Sequence, residues 1–196
     1  MHIVITRPKE DSSNLIEKLI KLGHSVTHLS VIKIEKLETK KINLENYKAV
    51  IFTSSNAIRF MNIEKFNLKN EIKEVFTTDQ MLPAVGQGAI ALQCKKDDPK
   101  TLNILKTVND KETYYCIQAE RALLEAIGGD CDTAIGGLAK LSNEKISLKS
   151  QLFSNDRKKK FEFQSSGHFK EAKEIGYKVG KELLKKAGQD FITQGN

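Results

Sequence analysis

Hydrophobic and polar positions change texture along the chain, and the first texture mixes strand and helix signals. Residues 2–6 form a short run rich in β-branched side chains, stopped by Pro8. Asp11 or Ser12 stands where a helix cap is wanted. Leu15, Ile16, Leu19, Ile20 and Leu22 then recur at the spacing of one helix face, and Gly23 ends it. Residues 25–34 and 47–53 return to strand character. The second run leads into Ser54-Ser55-Asn56 and a short helix over 57–61. Strand, helix and strand, then strand into helix, predict an α/β fragment with a parallel sheet.

Residues 62–80 are polar and rich in Lys, Glu and Asn, and a boundary is placed near residue 78, giving segments 1–78 and 79–196. Beyond it, residues 82–92 read as a glycine-punctuated strand. Asp97-Asp98-Pro99 opens a helix to about Val108, and Asp110 caps a longer one over 111–127. Tyr115, Ala119, Ala122, Leu123 and Ala126 form its inward stripe, and Gly128-Gly129 terminates it. Strands follow at about 134–141, 144–153 and 158–164. Ser142-Asn143 and Asn155-Asp156 are the turns between them, and a last amphipathic helix covers 169–187. This predicts an α+β domain: a small antiparallel sheet with helices on one face.

Composition narrows the partners. Of 196 residues, 39% are hydrophobic and 29% charged, as in an ordinary soluble domain. The net charge of +7 raises a nucleic-acid reading. Yet residues 1–80 hold 13 Lys/Arg against 10 Asp/Glu, and residues 81–196 hold 19 against 15. An even spread without aromatic interleaving argues against a nucleic-acid face. No apolar run reaches the roughly 20 residues that span a bilayer, and the first residues do not resemble a signal peptide. No membrane partner and a cytoplasmic location are expected. Cys94, Cys116 and Cys131 form neither a paired motif nor an even set, so neither a metal site nor a disulfide framework is expected.

The segment that carries chemistry is Gly128-Gly129-Asp130-Cys131-Asp132-Thr133-Ala134-Ile135-Gly136-Gly137. A cysteine just past a double glycine leaves a helix on a loop with little side-chain bulk around it. Asp130 and Asp132, if charged and close, raise the pKa of that thiol. The residues alone leave two readings: a carrier thiol, or a small buried hydrophobe.

Three motifs bear a resemblance. Leu82-Pro83-Ala84-Val85-Gly86-Gln87-Gly88-Ala89, Ala119-Glu120-Arg121-Ala122-Leu123-Leu124 and the Gly128–Gly136 loop are similar, in order and spacing, to the closing stretch of porphobilinogen deaminase (hydroxymethylbilane synthase). The likeness covers about residues 79–196. It implies that Cys131 holds a dipyrromethane cofactor by a thioether, with Gly129 and Gln87 beside it, and that the partners are porphobilinogen-derived pyrrole carboxylates. Gln87 also fits an ordinary tight strand, and Glu120 with Arg121 reads as a structural ion pair.

Residues 1–62 resemble the start of uroporphyrinogen-III synthase, through Ile3-Val4-Ile5-Thr6-Arg7-Pro8 and Ala49-Val50-Ile51-Phe52-Thr53-Ser54-Ser55-Asn56-Ala57-Ile58-Arg59-Phe60. Thr53, Ser54, Ser55 and Asn56 at the strand-to-helix turn are either substrate carboxylate ligands or plain helix caps. By resemblance the chain is a transferase of the deaminase family, but the catalytic Asp and most substrate-binding Arg belong to family domains not recognised in these residues. No catalytic residue is therefore assigned. Only Arg7, Arg59, Arg121 and Arg157 are present, dispersed, against the eight carboxylates of a tetrapyrrole. The isolated chain is expected not to make hydroxymethylbilane at a useful rate. The alternatives are a truncated uroporphyrinogen-III synthase and an inactive fusion product.

Overall fold

The structure, a computed structural model, describes residues 1–31, 33–35, 48, 50–52, 57–58, 74–129, 133–156 and 158–188. It divides into two compact units, Met1–Val75 and Phe76–Asn196.

The first unit begins with strand β1 (His2–Ile5), a 3-10 turn at Lys9–Asp11, helix α1 (Ser13–Lys21) and strand β2 (Ser25–His28). β1 and β2 pair in parallel, His2 opposite Ser25 and Ile5 opposite His28. The apolar face of α1 puts Leu19 into the interior, and Ile5 is also buried. The hydroxyl of Ser12, at the helix start, donates to the Pro8 carbonyl (2.9 Å) and leaves the helix N–H groups uncapped by its side chain. β2 is shorter than the expected run over 25–34. Of the strand expected over 47–53, Lys48 and residues 50–52 are described and are not strand, and Val50 and Ile51 are exposed. An apolar run becomes a buried strand only where neighbouring strands and layers cover it. The described residues of this unit show one strand pair.

The second unit is the expected α+β domain. Helix α2 (Pro99–Val108) starts at Asp98, whose carboxylate accepts from the Thr101 N–H (3.0 Å). Helix α3 (Lys111–Ile127) is capped in the same way by Asp110 on Thr113 (2.8 Å). Strands β3 (Ile135–Ser142), β4 (Lys145–Phe153) and β5 (Lys160–His168) form an antiparallel sheet in that order, and helix α4 (Ala172–Ala187) closes the domain. Asn143 and Glu144, both at positive φ, make the two-residue turn between β3 and β4.

On β4, Ile146, Leu148, Ser150 and Leu152 are buried while the residues between them are more open. That alternation is the mark of a sheet covered on one side. The cover is α3 and α4. Ala119, Leu123 and Ile127 meet Ile175, Val179 and Leu183 in one apolar cluster with Ala139 and the β4 residues. The two helices approach closely because α4 presents Gly176 and Gly180. A methyl at Gly176 would lie 2.7 Å from the Ala122 methyl, and one at Gly180 would lie 2.6 Å from that of Ala126. The sheet and both helices thereby frame one corner of the domain, where α3 ends and β3 begins.

The strand expected over 82–92 does not form. Ala84 makes a single bridge to Gly136, and the chain then turns through Gly86 and Gly88, at φ +74° and +84°. Left-handed backbone at two alternate positions is incompatible with an extended run. The glycines that looked like punctuation make a turn.

Candidate functional site

The three motifs singled out in the second half of the sequence meet in space. Helix α3 ends at Gly128 in the left-handed conformation (φ 69°), with the Gly128 N–H on Glu125 O (3.0 Å) and the Gly129 N–H on Leu124 O (3.1 Å). This paired closure satisfies the last carbonyls of a helix and needs a residue free of the Cβ penalty at the left-handed position. Gly129 is small for a different reason: a Cβ there would come within 2.9 Å of both Leu124 Cδ1 and Thr133 Oγ1. The double glycine thus first ends a helix and then lets two side chains close over the backbone.

From Thr133 the chain enters β3, whose first residues contact the 82–85 segment. The Gly137 N–H donates to Pro83 O (3.0 Å). A Cβ at Gly136 would lie 3.1 Å from Leu82 Cβ, and one at Gly137 would lie 3.0 Å from Leu123 and 3.1 Å from Val85. Ser150 on β4 donates to Gly136 O (2.8 Å) and fixes the other side of the strand.

Glu120, on α3, sits at the centre and is 4% exposed. One carboxylate oxygen accepts from the Gly86 N–H (2.8 Å) and the other from the Ala139 N–H (2.8 Å). The expected ion pair with Arg121 is therefore replaced by two backbone bonds. On a helix, consecutive residues point about 100° apart, so Glu120 turns inward while Arg121 is exposed. Burial pushes the Glu120 carboxyl above its usual range, and the bonds from Ala139 and Gly86 pull it back only in part. Sequence reasoning saw Glu120 within its motif but missed this role. A Glu on the buried stripe of an otherwise apolar face was the available signal.

Of the residues expected near a cofactor, Gly129 and Gln87 are described. Gln87 lies in the Gly86–Gly88 turn, exposed, its N–H on Ala84 O (3.1 Å). Cys131 lies outside the described residues, as do Thr53, Ser54, Ser55 and Asn56. The described thiols are Cys94 and Cys116. Cys116 is a poor nucleophile: burial pushes its thiol up, and the charges of Glu120 and Glu112 push it further. No described helix is long and apolar enough to cross a membrane.

Comparison with known proteins gives this corner its family. A model described as the C-terminal domain of porphobilinogen deaminase matches residues 114–185, which take in α3, the glycine corner, the sheet and most of α4. A second, described as the dipyromethane cofactor binding domain of porphobilinogen deaminase, matches residues 31–103. The porphobilinogen deaminase of Coxiella burnetii (strain CbuG_Q212) is 32% identical over 154 residues, 79% of this chain and 48% of that protein. That of Ehrlichia canis (strain Jake) is 33% identical over 174 residues, 86% of this chain and 55% of its own length. That of Nitrobacter hamburgensis (strain DSM 10229 / NCIMB 13809 / X14) is 32% identical over 131 residues, 67% and 42% respectively.

Both matched models are domains of one family, porphobilinogen deaminase. The chain carries porphobilinogen deaminase domains, and it spans about half the length of the curated relatives it matches. The likeness reaches further back than the residues from 79 onward that first suggested it. The cofactor-domain match begins at residue 31, runs across the division after Val75, and takes in residues 31–62 of the stretch that resembles uroporphyrinogen-III synthase. These matches lend that second resemblance no support.

Proposed function

We propose that this chain serves tetrapyrrole biosynthesis as a deaminase-family carrier, with Cys131 as the thioether anchor of dipyrromethane and porphobilinogen as the source of both pyrroles. The observation that carries the reading is the convergence of the 82–89, 119–124 and 128–136 motifs at one corner, around Glu120. The donor chemistry fits the group: attachment needs one thiol, Cys131 follows the glycine corner by two residues, and burial disfavours the thiolate of the half-buried Cys116. Gly129 and Gln87 would flank the bound group.

In the attachment step the Cys131 sulfur forms a C–S bond to the methylene carbon of porphobilinogen. Ammonia leaves, and the thiol proton passes to solvent or base. A second porphobilinogen would complete the group by joining the ring α-carbon, with loss of a second ammonia and the ring proton. Once bound, the dipyrromethane supplies a free α-carbon from which a chain of pyrroles is built. Charged carboxylates at Asp130 and Asp132 close to the sulfur would disfavour the thiolate, so on this reading attachment at Cys131 relies on the electrophile and not on a lowered thiol pKa.

Carriage and not complete synthesis is the function assigned to the isolated chain. Arg7, Arg59, Arg121 and Arg157 are too few and too dispersed to clamp eight carboxylates. Thr53, Ser54, Ser55 and Asn56 are proposed as contacts to a pyrrole carboxylate. A cytoplasmic setting, with neither nucleic acid nor membrane as partner, completes the reading. For residues 1–30, which precede the cofactor-domain match and fold as strand, helix and parallel strand, the likeness to uroporphyrinogen-III synthase remains a second reading.

Intact mass spectrometry of the chain incubated with porphobilinogen tests the proposal. A gain equal to two pyrrole units, abolished in Cys131→Ser and kept in Cys116→Ser, is the expected result. An unmodified wild-type mass sinks it.

A further inference from the structure

The Glu120 carboxylate ties three separate pieces of chain: it stands on α3, holds the 84–88 turn through Gly86, and holds β3 through Ala139. Two features make this more than packing. A buried carboxylate costs more to accommodate than an apolar side chain of similar size, so an interior position gives it no advantage by burial alone. Both of its oxygens are spent on backbone N–H groups: one in an irregular turn, the other on the edge of β3 that faces away from β4. Gly86 lies in the turn itself, and its only neighbour in the sheet sense is the single bridge at Ala84.

We infer that Glu120 is a positioning residue: its two-oxygen acceptor sets the Gly86–Gln87–Gly88 turn against β3. The inference deepens the carrier reading and rests on it where it concerns loading. Nothing else described anchors the tip of this turn to the domain by its backbone: the 82–85 stem is held by Gly137 and Gly136, while Gly86 is held by Glu120. A glutamine at 120 keeps the volume and one acceptor oxygen but faces the second N–H with an amide NH2. A donor against a donor leaves a buried N–H unsatisfied.

The test uses the full chain as wild type, Glu120→Gln, and Val179→Ala as a control that weakens the core on α4 without touching the turn. Amide hydrogen exchange is read at Gly86 and Ala139, and loading of Cys131 by porphobilinogen is timed by intact mass. In Glu120→Gln, exchange at Gly86 or Ala139 rises by about tenfold or more relative to helix α4, the factor expected for loss of one bond to a charged acceptor. Loading slows by a comparable factor. Val179→Ala leaves the ratio of Gly86 to α4 exchange unchanged and loads at the wild-type rate for its folded fraction. Unchanged relative protection at both amides in Glu120→Gln overturns the inference. So does loading at the wild-type rate with the turn released, or equal slowing in Val179→Ala. If the wild type itself takes up no pyrrole, the carrier reading fails, and the positioning of the turn stands or falls on the exchange data.

Discussion

Gly180 on α4 faces Ala126 on α3 so closely that a Cβ at 180 would lie 2.6 Å from the Ala126 methyl and 3.0 Å from the Leu123 carbonyl. Gly176, one turn earlier, stands in the same relation to Ala122 and to the Ala119 carbonyl. The helix pair that roofs the sheet is thus set by two missing side chains. Alanine at either position gains about 0.5–1 kcal/mol of helix propensity, but overpacking a closed contact costs about 1–3 kcal/mol. Backbone atoms on α3 cannot yield as a flexible side chain can, so a net loss is expected. Urea unfolding of Gly176→Ala and Gly180→Ala should show lowered midpoints, and a midpoint at or above wild type would refute the close-contact geometry.

The sheet has one covered and one open face, and adjacent residues on β4 should respond oppositely to truncation. Leu148 is fully buried among the α3 and α4 side chains, so Leu148→Ala should cost about 2–5 kcal/mol. Lys149, on the other face opposite Leu138 and Gln164, should change stability by no more than about 0.5 kcal/mol on substitution by Ala. Equal effects at the two positions would mean that the register is shifted by one residue.

Acid should affect Glu120 and the exposed Asp98 and Asp156 in opposite senses. Burial raises the Glu120 carboxyl above its ordinary value, so its contribution to stability is fully present below that value and is lost as pH rises through the raised one. Asp98 and Asp156 are lowered by hydrogen bonds from Thr101 and Ser154 respectively, so their contributions hold above the ordinary range and disappear as pH falls through the depressed values. In a comparison of unfolding midpoints over acid to neutral pH, Glu120→Gln should therefore remove a component that declines with rising pH. Asp98→Asn should remove one that grows with it. Parallel curves for wild type and Glu120→Gln would show that the carboxyl is not perturbed by folding.

The end of α3 offers a separate check on the glycine corner. Gly128 is required by its left-handed backbone, and Gly129 by the side chains of Leu124 and Thr133 that occupy the place of its Cβ. Asparagine tolerates left-handed backbone and alanine does not. Gly128→Asn should accordingly be milder in thermal unfolding than Gly128→Ala, whereas at Gly129 the smaller alanine should be milder than asparagine. The same ranking at both sites would mean that one cause explains both glycines.

Much of the architecture was legible before any coordinates. Asp98 and Asp110 marked helix starts, Gly128 marked a helix end, and the alternation of Ile146 and Leu148 with polar neighbours marked a half-covered strand. Each of these signals acts between residues a few positions apart, where backbone geometry and hydrogen-bond reach are local matters. What the amino acids could not settle alone was any outcome resting on distant partners. Residues 82–92 had the composition of a strand, but only the fold shows Gly86 and Gly88 turning away after one bridge to Gly136. Glu120 had a neighbour of opposite charge one position along, yet it bonds Gly86, 34 residues away, and Ala139, 19 away. A helix face chooses its partners by direction, and direction acquires a partner only when the sheet and the turn have packed against it.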